Sequence, residues 1–300
     1  MKAREVIAPA AAGSLWSESI GKGEAVLLVA GANAPGSMWP DELVQSLAQS
    51  GRRVIRYDHR DTGRSSRTDP EAGGYAVTDL AADAVSVLDA HGVDAAHVVG
   101  LSLGGTIGQV LALDHPGRLK SLTVMMAAAL DVDFAGAYVA AMEGRPAPGD
   151  LPGPDPEVVR RLAGMFAPGE DEEAEVRRRV EQWRVLNGAK APFTPEEFAE
   201  RERRAIRHAG TITPPTAHAG LVPAAAERGR ELAAVTLPAL VVQGAQDPLN
   251  PPPHGAHIVE LMANARLVEI EELGHALPGE LLAVITDHLT DHFDHAERTS

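Results

Sequence analysis

The sequence predicts an α/β fold: an open, mostly parallel sheet whose strands alternate with helices, interrupted once by a helical insertion. Three observations lead there. Six short, nearly continuous apolar runs recur along the chain, the pattern of strands buried on both faces of a parallel sheet. Segments with helical periodicity lie between them, which argues right-handed strand–helix–strand crossovers. The stretch 131–236 breaks this alternation with Pro-rich loops and strongly charged helical patterns. The expected division is therefore a core formed by residues 1–130 and 237–300, with a helical cap at 131–236.

Taken in order, EAVLLVAG at 24–31 reads as the first buried strand, ending in Gly. Residues 39–50 read as a helix, and RRVIRYD at 52–58 as a strand that runs into a polar cluster. Residues 78–92 place Leu80, Ala84, Val87 and Leu88 on one helical face. Thr78 is the expected N-cap, Asp79 sits in the first turn, and Gly92 suits the position after the C-cap. AHVVGL at 96–101 is the next strand, followed by a helix over 103–114 that must stop near Pro116. LKSLTVMMA at 119–127 closes the first half of the core. Within the insertion, RPAPGDLPGP at 145–154 is loop, and 170–186 and 195–208 are helical. Thr194 and Glu197 suggest a capping box, with Pro195 at the first helical position and Phe193 stapled onto Phe198. The core resumes at Leu237-Pro238, with strands at 239–244 and 265–270 and a final helix over 281–296.

Composition narrows the function. The 300 residues include 27 Lys+Arg against 42 Asp+Glu, a formal net charge of -15. A protein that tracks phosphates wants the opposite sign, and so does one that docks on anionic membranes. The chain has no Cys, which excludes disulfides, zinc–thiolate sites, Fe–S clusters and a cysteine nucleophile. No apolar run approaches the ~20 residues of a membrane span, and Met1 to Trp16 lacks the continuous apolar stretch of a secretory signal. The expectation is a soluble, cytoplasmic protein with a small-molecule partner.

Gly100-Leu101-Ser102-Leu103-Gly104 is a G-x-S-x-G pattern. Alone it is weak, but an apolar run precedes it and a helical segment follows, the setting of a nucleophile elbow. A sharp strand-to-helix turn exposes the Ser102 hydroxyl, and flanking glycines let neighbouring backbone approach. The competing readings are a Ser that caps a helix and a phosphate loop. The second fits poorly, because neither a G-K-[ST] nor dinucleotide glycine spacing is present.

A Ser hydroxyl needs a base within reach and a group to orient that base. Asp247 lies just beyond the strand at 239–244, and His275 in the loop beyond the strand at 265–270. Ligands in open α/β sheets sit outside the carboxyl ends of the strands, where Ser102, Asp247 and His275 would converge in the chain order Ser, acid, His. The oxyanion donors expected are the backbone N–H groups of Leu103 and of Ala32, which follows the first strand; the alternative is that Gly31-Ala32-Asn33 is a plain turn. The remaining candidates are less direct. Phe134, Tyr138, Met142 and Trp183 lie in the insertion, as core or as an apolar wall over the site; Asn33, beside Ala32, joins the candidate substrate contacts. His288, His292 and His295 share a face of the last helix and could hold a metal, but a solvated terminal helix is the simpler reading. YDHRDTGRSS at 57–66 reads as a hydrogen-bonded loop with Arg60 and Asp61 in internal ion pairing.

These residues resemble the α/β-hydrolase superfamily, and within it the aclacinomycin methylesterase family of anthracycline tailoring enzymes. The resemblance rests on LLVAGAN with WPDEL (27–33, 39–43), VIRYDHRDTGRS (54–65), the stretch 80–105 ending in GLSLGG, LVVQGAQDP (240–248) and ARLVEIEELGHALP (265–278). It extends into the insertion through QWRVLNGAKAPF (182–193) and RAIRHAG (204–210). It implies an α/β-hydrolase fold, with a mostly parallel eight-stranded sheet flanked by helices and a helical cap. It further implies hydrolysis of a carboxylic methyl ester on a polycyclic aromatic polyketide, releasing methanol without a cofactor or metal. Ser102 would be the nucleophile, His275 the base and Asp247 the orienting acid. This chain departs from the common pattern at Ala32, where Gly is frequent, at Leu103, and in having Ala30-Gly31 for a His-Gly pair. None of these changes removes a backbone N–H, though they reshape the pocket floor. Other α/β-hydrolase specificities (general esterase, lactonase, peptidase), a non-catalytic polyketide-binding member and decarboxylation of the freed acid are the alternatives.

Overall fold

The computed structural model describes residues 2–11, 13–68, 74–165 and 167–299. Eight strands form one sheet in the order β1-β2-β4-β3-β5-β6-β7-β8. They are β1 (Arg4–Ala10), β2 (Gly13–Gly21), β3 (Glu24–Val29), β4 (Arg52–Tyr57), β5 (Ala96–Leu101), β6 (Leu119–Met125), β7 (Ala239–Gly244) and β8 (Ala265–Ile270). From β4 to β8 every pairing is parallel, whereas β2 runs antiparallel to both β1 and β4.

The six apolar runs are all strands. In the five inner ones the residues alternate between two cores, as the period of two demands, whereas β8 closes the sheet edge and buries only Ile270 fully, so it is not covered on both faces as its apolar run suggests. Leu27 and Val29 pack on one face with helices α2 (Val77–Ala90), α3 (Leu103–Asp114) and α8 (His254–Leu261). Val26 and Leu28 pack on the other with α1 (Asp41–Gln49) and α9 (Leu282–Thr299). Between β6 and β7 lie α4 (Phe134–Met142), α5 (Pro156–Ala163), α6 (Glu172–Leu186) and α7 (Pro195–Ala209).

Two local expectations change. Helix α2 begins at Val77, one residue before Thr78, because the Asp79 carboxylate accepts the Ala76 N–H at 2.7 Å and so takes over the capping. Thr194 does cap α7, but its side chain makes no capping bond. Glu197 instead pairs with Arg201 and accepts the Gly279 N–H at 3.2 Å, tying the helix to the core rather than closing a box. The Phe193 and Phe198 rings stack with centroids 4.6 Å apart, as a staple requires.

The last helix is not simply solvated. His292 is 1% exposed and donates from Nε2 to the Leu122 carbonyl, while His295 faces solvent. Among the described residues no group of three or more acidic or His side chains is arranged to hold a metal ion. No described helix is long and apolar enough to cross a membrane.

Buried histidines make the fold acid-sensitive, His91 and His292 among them. Burial, with Arg53 and Arg4 nearby, holds His91 down to about 4. Burial, with Arg266 nearby, does the same for His292, to about 4. An unfolded chain takes up these protons near the ordinary 6.5, whereas the folded chain resists until about 4. Their contribution is therefore complete above the unfolded pKa and is lost as pH falls toward the folded one. Between about pH 7 and pH 5, these two rings alone are expected to lower the unfolding free energy from urea titrations by roughly 2–4 kcal/mol, and the other buried neutral histidines add to the fall. A flat profile across that window would contradict two buried neutral rings.

Candidate active site

The turn from β5 into α3 carries Ser102 at φ 54 and ψ -119, a conformation that few side chains adopt. Glycine is required on both sides of it. A Cβ on Gly100 would lie 2.0 Å from the Gly104 carbonyl oxygen, and one on Gly104 would lie 2.1 Å from that of Val29. The strand and helix can approach this closely only without those side chains, and the result lifts the Ser102 hydroxyl above the sheet.

Asp247 follows β7 and is 2% exposed. Its Oδ1 accepts the N–H groups of Leu249 at 2.8 Å and Asn250 at 2.9 Å, which fixes the carboxylate in one orientation. Asn250 in turn donates to the Met126 carbonyl at 3.0 Å, anchoring the loop to the end of β6. The structure brings the three distant residues together. His275 Nδ1 donates to Asp247 at 3.0 Å (Oδ1) and 2.9 Å (Oδ2), and His275 Nε2 lies 3.1 Å from Ser102 Oγ. With the Nδ1 proton committed to the carboxylate, Nε2 presents a lone pair to the hydroxyl.

Leu103 opens α3, so its N–H is among those without an intrahelical acceptor. Ala32 lies in the loop after β3, close to the elbow: a Cβ on Gly31 would sit 3.6 Å from the Leu101 oxygen and from the Ser102 Cβ. Within the described residues no hydrogen bond takes up the N–H of Ala32 or of Leu103.

Two adjoining cavities meet above these atoms. The inner one, about 190 Å³, is walled by Ser102, His275, Leu101, Trp39 and Arg201. The outer one, about 360 Å³, is walled by Asn33, Tyr138, Gln182, Arg179 and Glu202. Ala32, Ala34, Met38, Trp183 and Leu186 belong to both walls and form the neck between them. Three of the four expected substrate contacts therefore line the space: Trp183 at the neck, and Asn33 and Tyr138 in the outer chamber. Phe134 lines neither cavity and packs against Tyr138, with centroids 6.2 Å apart. Met142 lines neither and is 45% exposed.

Several residues at the site carry no local sequence signal. The Trp183 indole donates to Glu202 Oε1 at 2.6 Å, and Arg179 meets the other oxygen of that carboxylate at 3.2 Å. The His275 N–H donates to the Leu186 carbonyl at 2.7 Å, so the end of α6 rests on the histidine loop. Burial lowers the Arg201 guanidinium to about 10, and its Nη1 donates to the Leu277 carbonyl at 2.6 Å. Asp58, fully buried after β4, accepts the N–H groups of Gly36 at 2.8 Å and Arg64 at 2.7 Å, and meets His208 of α7 at 2.6 Å. The segment 57–66 is a hydrogen-bonded loop. Arg60 pairs with Asp83 at 2.7 Å, whereas Asp61 binds Thr68 at 2.6 Å rather than a cation.

Comparison with known proteins agrees with this architecture. The alpha/beta hydrolase fold family matches residues 24–280. Rhodomycin D methylesterase DnrP of Streptomyces peucetius is 49% identical over 267 residues, covering 88% of this chain and 90% of the relative. Rhodomycin D methylesterase DauP of Streptomyces sp. (strain C5) gives the same figures, 49% over 88% and 90%. Among solved structures, an esterase from Thermogutta terrifontis superposes with a TM-score of 0.71 at 20% identity, over 99% of each chain. With a match that runs from β3 past the histidine loop, and close relatives that align through the insertion, the chain belongs to the α/β-hydrolase family, beside the rhodomycin D methylesterases.

Proposed function

We propose that this protein is a serine esterase that hydrolyses the methyl ester of an anthracycline-type aromatic polyketide and releases methanol, as a step in antibiotic biosynthesis. The observation that carries the reading is the Ser102–His275–Asp247 chain of hydrogen bonds at the floor of the inner cavity. The 49% identity to rhodomycin D methylesterases supports the substrate class. Residues 131–236 act as a cap over a core of 1–130 and 237–300. The proposal carries with it a cytoplasmic enzyme whose partner is the small ester and not a nucleic acid, in keeping with a net charge of -15.

His275 Nε2 takes the Ser102 proton as Oγ attacks the ester carbonyl. The N–H groups of Leu103 and Ala32 stabilise the oxyanion, usually the largest single contribution to such a reaction. The tetrahedral intermediate collapses, and the departing methoxide takes the proton from His275 as methanol. His275 then takes a proton from a water as it attacks the acyl-enzyme, and when the second tetrahedral intermediate collapses it gives that proton to Ser102 Oγ as the acid leaves. The reaction needs no electron transfer and no cofactor. Trp183, Tyr138 and Asn33 form the wall against which a planar ring system lies.

Mass spectrometry of products tests the proposal directly. Incubation with an anthracycline methyl ester is expected to yield the free acid, lighter by one CH₂, with one methanol per acid. Turnover of short p-nitrophenyl esters, lactones or amides without turnover of the aromatic methyl ester would overturn the specificity. A further loss of CO₂ would add decarboxylation to the reaction.

A further inference from the structure

Two histidines outside the catalytic chain grip the loop that carries Ala32. His59, fully buried after β4, faces the Ala30 carbonyl through Nε2 at 2.9 Å, so that nitrogen donates. His218 comes from the other direction, from the short helical turn Ala217–Gly220 after α7. The N–H of Asn33 donates to His218 Nδ1 at 2.8 Å, and the N–H of His218 donates back to Asn33 Oδ1 at 3.2 Å. The two rings meet edge to face, with centroids 5.5 Å apart. Ala30 and Asn33 thus bracket Ala32 on the chain, and each is held by a histidine. Asn33 itself has φ 59, a left-handed conformation that persists only where its surroundings fix it.

The hydrogen bonds set the state of His218. A backbone N–H requires a bare nitrogen opposite it, so Nδ1 carries no proton and the ring is neutral. Burial, then the neighbouring His59 ring, pushes its pKa down to about 3, with Asp61, Arg60 and Tyr75 the other polar groups around it.

We propose that His218 is a positioning residue for ester hydrolysis: by accepting the Asn33 N–H, it aims the neighbouring Ala32 N–H at the oxyanion. The inference rests on the esterase reading given above. It makes the returning end of the 131–236 segment a support for the oxyanion hole and not merely a cover. The sensitivity is geometric, because an oxyanion donor works only within a few tenths of an ångström of hydrogen-bonding distance.

Steady-state kinetics on p-nitrophenyl acetate and on an aromatic methyl ester, with thermal melts, test it. His218→Leu removes the acceptor. His218→Asn returns an oxygen close to the place of Nδ1. The Leu variant is expected to lose about 10–100-fold in kcat, with KM within about threefold, and the Asn variant to recover most of that loss. A structural role alone would lower melting temperature in step with activity and would not divide kcat from KM. Should the Leu variant fail to fold, His218→Gln fills the space with its amide beyond the Nδ1 position and reads the same loss. Unchanged kcat in the Leu variant, or equal impairment of folded Leu and Asn variants, overturns the inference. With Ser102→Ala inactive in parallel, such a result refutes the role of His218 alone. Activity retained in Ser102→Ala refutes the esterase reading and the inference together.

Discussion

Ser102→Ala is expected to lower kcat on the methyl ester by about 10⁴–10⁶-fold while leaving KM within a few-fold and the fold intact. The size follows from the chemistry. Without Oγ there is no atom to form the acyl-enzyme, and what remains is whatever the oxyanion donors and the cavity do for a water attack. The stability of the variant follows from the geometry. Ser102 is only partly buried, and the hydroxyl makes one hydrogen bond, to His275 Nε2 at 3.1 Å. Alanine keeps the same Cβ at φ 54, so the strain of the elbow is unchanged. The unfolding free energy should therefore move by no more than about 1 kcal/mol. Product quantification and a thermal melt check both halves. A fluorophosphonate should label the natural protein at Ser102 and leave the variant unlabelled. Substantial turnover in a folded Ser102→Ala protein would remove the nucleophile assignment.

Much of the fold is legible in the sequence, for identifiable reasons. The strands in the middle of the sheet announce themselves because both their faces are buried, so EAVLLV and ALVVQG have almost no polar residues to disguise them, whereas β8, at the sheet edge, is largely exposed and is legible only from its apolar residues. The N-terminal pair β1 and β2 does not announce itself. Its second strand contains Ser17, Glu18 and Ser19, all buried yet polar. Glu18 is there because Arg56 on the adjacent β4 meets it at 2.6 Å, and Ser17 because its hydroxyl donates to the Val6 carbonyl at 2.7 Å. Cross-strand partners of this kind are invisible until the strands are paired. The alternation in REVIAPA and the positive φ of 119 at Gly13 are the faint traces of the hairpin.

The site divides along the same line. Ser102, Asp247 and His275 could be placed because each sits just past a strand end, where sheet topology alone brings loops together. His218, Glu202 and Leu186 could not, because they act through contacts made by the insertion, whose packing has no regular period. Trp183 stood out by residue type, but the carboxylate that holds its indole lies 19 positions away on the next helix. Phe134 stands out on the same ground of residue type, yet it packs against Tyr138 and lines neither cavity.

Asp247→Asn is expected to lower kcat by about 10⁴-fold with little change in stability. The reason lies in the two backbone N–H groups of Leu249 and Asn250, which both donate to Oδ1 at 2.8 Å and 2.9 Å. An asparagine in this place must turn its oxygen toward those donors. Its NH₂ then occupies the position of Oδ2, which faces His275 Nδ1 at 2.9 Å. Two donors cannot meet, so the imidazole must bare Nδ1 and move its proton to Nε2. There the proton points at Ser102 Oγ, and the base has no lone pair with which to activate the hydroxyl. Asp247→Ala is the less informative change, because it strands both N–H groups in a buried loop and costs about 1–3 kcal/mol for each unsatisfied group. The asparagine variant separates catalysis from folding: a melting temperature close to that of the natural protein, with activity nearly gone and a His275 tautomer inverted by ¹⁵N NMR. Activity within tenfold of the natural protein would mean that the carboxylate does not set the His275 tautomer and would remove Asp247 from its role as orienting acid.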